Sequence, residues 1–365
     1  MTTENAQASS KKGKNIGDAA DDDRLLADEI ERIRNNKKIK IDDASNSKAA
    51  SKKGKKIVVQ DDTAIQTPTL AGRSNTDFFV DMLESLNKNQ RRAVREIEFG
   101  ALLNFNIRSF PRSLAYYLIY NFNHKSSSIK LNSGESLFLD DEDVHITLGF
   151  SIESLPMNRI KFQKNINIKT QIARFCKGGE KKMVPAYVVE QMMKDEEGGE
   201  WFKWNFMVLV EYALINTPAD GNVSPQILDY IADVEKIKQY NWCSYVISKL
   251  LETQKRWKRN TTKIFTGPVI FVVACYVDKI VFEKKMVPRC YPTVKGWTAE
   301  LLKERQRTEM NDSDFGLGHK YDRYKKQPHE ENDENDESED EDDEPEDVKA
   351  LNKNDHDEEG TISGS

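Results

Sequence analysis

Aromatic residues are missing from residues 1–75 and again from 326–365. Segments without them bury too little apolar surface to offset the entropy of ordering, so both ends are expected to be disordered. Folding is therefore assigned to residues 76–305, a length suited to a single domain, with 1–75 a basic, mixed-charge arm and 306–365 an acidic tail. Cysteine is also scarce. Cys176, Cys243, Cys275 and Cys290 are scattered with no CxxC pair, which argues against a disulfide framework or a zinc site and reads as reduced intracellular thiols. The longest apolar run, Val269–Val277, is about half what a membrane-spanning helix needs. The opening MTTENAQASSKKGK has no apolar stretch, so no secretory signal is expected. These shortages leave a soluble protein of the nucleus or, as the alternative, the cytoplasm, and no membrane.

The charge is abundant but divided. Of the net −6, Glu330–Asp347 carries fourteen acids and no base, and 348–365 adds four acids against two lysines, so residues 1–329 carry +10. A basic body with an acidic tail is expected to meet polyanions, with the tail as an internal competitor. Two lysine clusters, SSKKGK at 9–14 and SKKGKK at 51–56, stand in the first arm. The second, with Lys52, Lys53, Lys55 and Lys56, suits an importin-type receptor; the bland reading is a solvated charge run. Between the clusters, residues 21–38 have the pattern of a marginal amphipathic helix. Ser338, set among Glu337, Glu339, Asp340 and Glu341, has the surroundings of an acidic-directed kinase site, where phosphate would deepen the negative charge.

Periodicity predicts a mainly α fold with a small β-hairpin. Thr76 is a candidate N-cap for a helix with Phe79, Met82, Leu83 and Leu86 on one face. RSLAYYLIYNF at 112–122 reads as a second helix after Pro111. SIKLNSGESLFL at 128–139 alternates around Asn132-Ser133-Gly134, as a hairpin does. Asp140–Asp143 then open a short helix that Gly149 closes. Residues 151–185 read as loop with a helix around 165–175. The apolar 201–216 segment, the amphipathic 244–259 segment (Val246, Ile247, Leu250, Leu251 and Trp257 inward) and 268–282 supply the core. Ser224 and Pro225 suit a helix start.

Catalytic chemistry finds little to work with. Cys243, near a helix start, and the histidines His124 and His145 lack the third group and the oxyanion donor of a thiol hydrolase. Gly178-Gly179 and Gly198-Gly199 are isolated doublets outside any phosphate-loop pattern. No catalytic residue, cofactor or metal is expected. The clearest binding candidate is LETQKRWKRNTTK, where Lys255, Arg256, Lys258, Arg259 and Lys263 surround Trp257 and offer charge with a stacking ring. Cations are also common at helix C-termini because the macrodipole favours them.

The spacing of NWCSYV, RWKR and FTGPVIFVVACYVDKIVF, together with DDEDVHITLGF after the hairpin, resembles a plant family of transposon origin. That family includes the aminotransferase-like plant mobile domain, and related proteins carry such a domain upstream of a ubiquitin-like-protease catalytic domain. The likeness spans about residues 100–295. It implies a non-catalytic nuclear interaction domain that binds a protein or nucleic-acid partner. Two other readings stand beside it: a sequence-nonspecific nucleic-acid binder autoinhibited by its acidic tail, and the non-catalytic part of a thiol-protease system.

Overall fold

The computed structural model describes residues 67–72, 76–159, 183–231, 233–282, 286–312 and 314–325, all within the unit Gln66–Ser365. The lysine clusters, the helices expected at 21–38 and 165–175, Cys176, the acid-rich stretch and Ser338 lie outside them.

The described part is one globular, mainly helical domain with a three-stranded antiparallel sheet. Helix α1 (Asp77–Ser85) buries Phe79, Met82 and Leu83, with Leu86 just beyond its end. Thr76 stands at its start but does not cap it; the hydroxyl instead donates to the carbonyl of Ile107. Helix α2 (Lys88–Glu96) opens on a reciprocal capping box between Asn87 and Gln90. Helix α3 (Arg112–Asn121) follows Pro111 and leads directly into β1 (Phe122–Asn123), β2 (Ser128–Lys130) and β3 (Ser136–Phe138), ordered β1-β2-β3. Ile129 pairs with Leu137 across the expected hairpin and with Phe122 on the other side. Gly134, at φ +89°, supplies the left-handed turn residue.

Helix α4 (Asp141–Leu148) carries the second capping box, Asp140 with Asp143, and acids throughout its first turn. Gly149 ends it at φ +74°, where a β-carbon would also collide with Ala101. After α5 (Pro185–Met193) comes α6 (Glu200–Val210), whose last turn widens into a π-turn over Glu211–Ile215. Pro225 begins a 3-10 turn as expected, but the Ser224 hydroxyl does not cap it. Helix α7 (Trp242–Lys258) buries Val246, Leu250 and Trp257, while Ile247 and Leu251 are half-buried at the rim.

All eleven residues of α8 (Val269–Lys279) are buried, and it packs on α3, α4 and the π-turn. The expected helix to residue 282 stops earlier, because Ile280–Val281 form β4 and pair with β5 (His319–Lys320). Phe99 joins the layers, with its ring 5.0 Å from Phe150, 5.2 Å from Trp242 and 6.4 Å from Phe206.

Both expected boundaries fall inside packed structure. Leu70 is buried and its amide donates to Arg112 at 3.0 Å, so order precedes residue 76. Helix α9 (Ala299–Asp312) crosses residue 305 and inserts Arg305 and Glu309 into the interior. Beyond β5, Arg323 reaches Asp140, Glu142 and Asp143 at the start of α4, and Asp143 also takes Lys279 at 2.6 Å. Residues 306–325, expected with the tail, are attached by more than charge: Phe315 is buried with its ring 5.4 Å from Tyr117, and β5 pairs with β4.

Candidate nucleic-acid interface

The end of α7 is built around Trp257. Its ring is buried at 3% exposure, edge-on to Tyr116 and Phe265, and its Nε1–H donates to the carbonyl of Lys263 at 2.9 Å. That bond folds the following turn back onto the helix. Asn260 completes the turn, its side-chain oxygen accepting from the amide and the hydroxyl of Thr262. The expected stacking role of Trp257 is thereby corrected: the indole is structural. The cations around it are displayed, with Lys255, Arg256, Lys258, Arg259 and Lys263 all exposed on the last turns of α7 and the turn after it. Arg256 leans toward Glu252 at 4.0 Å. The negative end of the helix dipole offsets part of their mutual repulsion.

Two neighbouring elements add residues the local sequence did not single out. Tyr116 and Tyr120, one turn apart on α3, stack with centroids 5.5 Å apart and planes at 16°. Lys258 reaches across from α7, its ammonium 3.8 Å from the Tyr120 ring centroid and 2.7 Å from the Tyr120 carbonyl. The Tyr116 hydroxyl is raised above its ordinary range, first by burial and then by Tyr120. The β1–β2 turn docks through Gln254, which donates to the Phe122 carbonyl at 2.7 Å and accepts from His124 at 2.9 Å. Exposed Lys125 follows His124 on that docked turn. The i,i+4 spacing of the tyrosines was a usable signal; nothing local marks Lys125.

The reactive residues weighed in the sequence are held structurally. Cys243 is buried, donates to the Phe150 carbonyl at 3.3 Å, and its thiol is pushed well above the ordinary range by burial and by Asp141. His145 Nδ1–H donates to that same carbonyl at 2.7 Å, with the Tyr291 hydroxyl 3.3 Å from Nε2. Thiol and imidazole thus meet one oxygen rather than each other. Among the described residues no cluster of three metal-ligating side chains occurs and no helix is long and apolar enough to cross a membrane.

The first half of α7 borders a second feature, a cleft of about 340 Å³ lined by Tyr230, Ser244, Tyr245, Ser248, Lys249 and Glu252 among others. Lys249 lies 5.5 Å from the Tyr230 ring and 5.2 Å from that of Tyr245. Behind Tyr245 is Glu211, the first residue of the π-turn. It is buried and accepts the Tyr245 hydroxyl at 2.7 Å on Oε1, while Oε2 has no partner among the described residues. Burial raises its carboxyl to about 7, against the opposing pull of Tyr245, Lys249 and the Asn216 side chain.

A family model described as Domain of unknown function (DUF8566) matches residues 72–273. The chain belongs to the DUF8566 family. The DUF8566 segment runs from the residues before α1 into α8 and holds the cationic end of α7, both tyrosines and Lys125; α9 and β5 lie beyond it. No curated protein and no solved structure matches the chain.

Proposed function

We propose that this protein is a non-catalytic nuclear interaction module that holds nucleic acid by its phosphate backbone at the C-terminal end of α7. The supporting observation is the ordered helix end itself, where five exposed cations surround a buried Trp257 and Lys125 joins them. An ordered helix end fixes the backbone from which these charges project, and point charges suit sequence-independent phosphate contact. The lysine clusters of the first arm support nuclear entry through an importin-type receptor. The motifs resembling the plant mobile domain support descent from a mobile element.

Full-length protein should bind a labelled DNA duplex with steep salt dependence, each phosphate contact adding about −0.9 to the slope of log affinity against log salt. The triple charge reversal Lys255→Glu, Arg259→Glu, Lys263→Glu should flatten that slope by roughly three. Anisotropy titrations between about 50 and 200 mM salt measure both. A triple variant that keeps the parental affinity and slope overturns the assignment. The acid-rich Glu330–Asp347 stretch gives the proposal a built-in competitor. A chain lacking 328–365 should bind more tightly at low salt, and the gain should close as salt rises. Equal affinity at low salt would remove the competitor.

A further inference from the structure

We infer, building on the phosphate-binding reading above, that Tyr120, backed by Tyr116, is a base-stacking platform that gives this surface a preference for single-stranded nucleic acid. The geometry is specific. Tyr120 is half-buried and has two π-active neighbours, the Tyr116 ring at 5.5 Å and 16° and the Lys258 ammonium at 3.8 Å. Tyr116 is in turn pinned edge-on by buried Trp257 at 5.9 Å and 78°, so the pair is held rigid from behind. A cation over a ring marks the electron-rich face that a base would cover. Lys258 is an exposed lysine on four rotatable carbons, so a base arriving on Tyr120 displaces its ammonium toward the strand's phosphate.

The charges fit the same picture. Lys258 shares its helix end with Lys255 and Arg259, and Lys125 stands on the docked β1–β2 turn. A ring beside a basic track is the arrangement by which single strands are held, phosphates on cations and bases on aromatics. Bases of a duplex are already stacked inside it and cannot use the ring. Charge alone would not separate the two forms in this way.

The test uses the full chain with a labelled oligothymidylate and a duplex of equal length. Single strand should bind roughly tenfold more tightly than duplex. Tyr120→Leu, which keeps apolar volume but removes the π face, should lose roughly that factor on the single strand and leave the duplex unchanged. Tyr120→Phe should bind like the parent, because the ring persists. Photocrosslinking of a bromouracil-substituted strand to unmodified protein, read by peptide mapping, should label residues 112–121, and it needs no variant to fold. Crosslinks confined elsewhere, or equal single-strand affinity for Tyr120→Leu and parent, overturn the platform. Duplex binding that is salt-dependent but shows no single-strand preference overturns it while sparing the phosphate reading. Binding to neither form overturns both.

Discussion

Replacing Glu309 by Ala is expected to destabilise the domain by about 3–5 kcal/mol, the range for removing one partner of a buried ion pair. Glu309 is fully buried and serves three donors: Arg305 Nε at 2.6 Å, the Tyr276 hydroxyl at 2.7 Å and the Gly316 amide at 3.1 Å. Arg305, itself 2% exposed, would keep the Ile280 carbonyl at 2.6 Å but no counter-charge. A loss of that size is a large part of the roughly 5–15 kcal/mol that holds a domain together. Urea denaturation of parent and variant measures it. The paired replacement Arg305→Met with Glu309→Leu should recover most of the loss, since an apolar pair of similar volume removes the uncompensated charge. An unchanged urea midpoint for Glu309→Ala would show that α9 is dispensable to the core.

The second large effect is a loss of stability between acidic and neutral conditions, traced to Glu211. Its carboxyl is raised from 4.5 to about 7, chiefly by burial. A group whose folded value lies above its unfolded one stabilises fully below the unfolded value and loses that contribution as pH climbs through the folded value. The window is therefore about 4.5 to 7, and the amplitude is about 3 kcal/mol. The groups facing the carboxyl are Tyr245, which donates to it, Lys249, whose charge opposes the rise, and the Asn216 side chain, which opposes it too. Glu211→Gln keeps a neutral acceptor for Tyr245 and should be insensitive over this window, and above pH 7 it should be more stable than the parent. If parent and variant show the same change in urea midpoint between pH 5 and pH 8, Glu211 is not its source.

What the sequence made legible was whatever depends on neighbours a few residues apart. The apolar face of α1, the break at Pro111, the Asn132–Gly134 turn and the Asp140 and Gly149 ends of α4 all follow from local spacing and turn chemistry. What escaped depends on distant partners. Strand β1 forms where α3 runs out and β2 lies alongside, and β4 ends α8 because β5 supplies its pairing. The π-turn at Glu211 has no mark in the residues themselves. At the candidate interface the cations were legible as a run, but a tryptophan amid lysines looks the same whether it faces solvent or the interior. Its burial follows from Tyr116, Phe265 and the Lys263 carbonyl, and the stacking role then moves to a helix more than a hundred residues earlier in the chain.

The C-terminal strap also bears on synthesis. At the end of the central helix the Tyr276 hydroxyl and the Ile280 carbonyl find Glu309 and Arg305, and Ile280–Val281 find β5, only in residues 305–320, while Asp278 pairs with Arg289, which also donates to the Asp322 carbonyl. A ribosome delivers those partners after the helix. Until then the nascent chain exposes a nearly all-apolar helix whose last turn lacks these partners, the kind of intermediate that chaperones hold and that aggregates when they do not. Premature termination within α9 would leave the chain in that condition permanently, although all of its DUF8566 segment had been made.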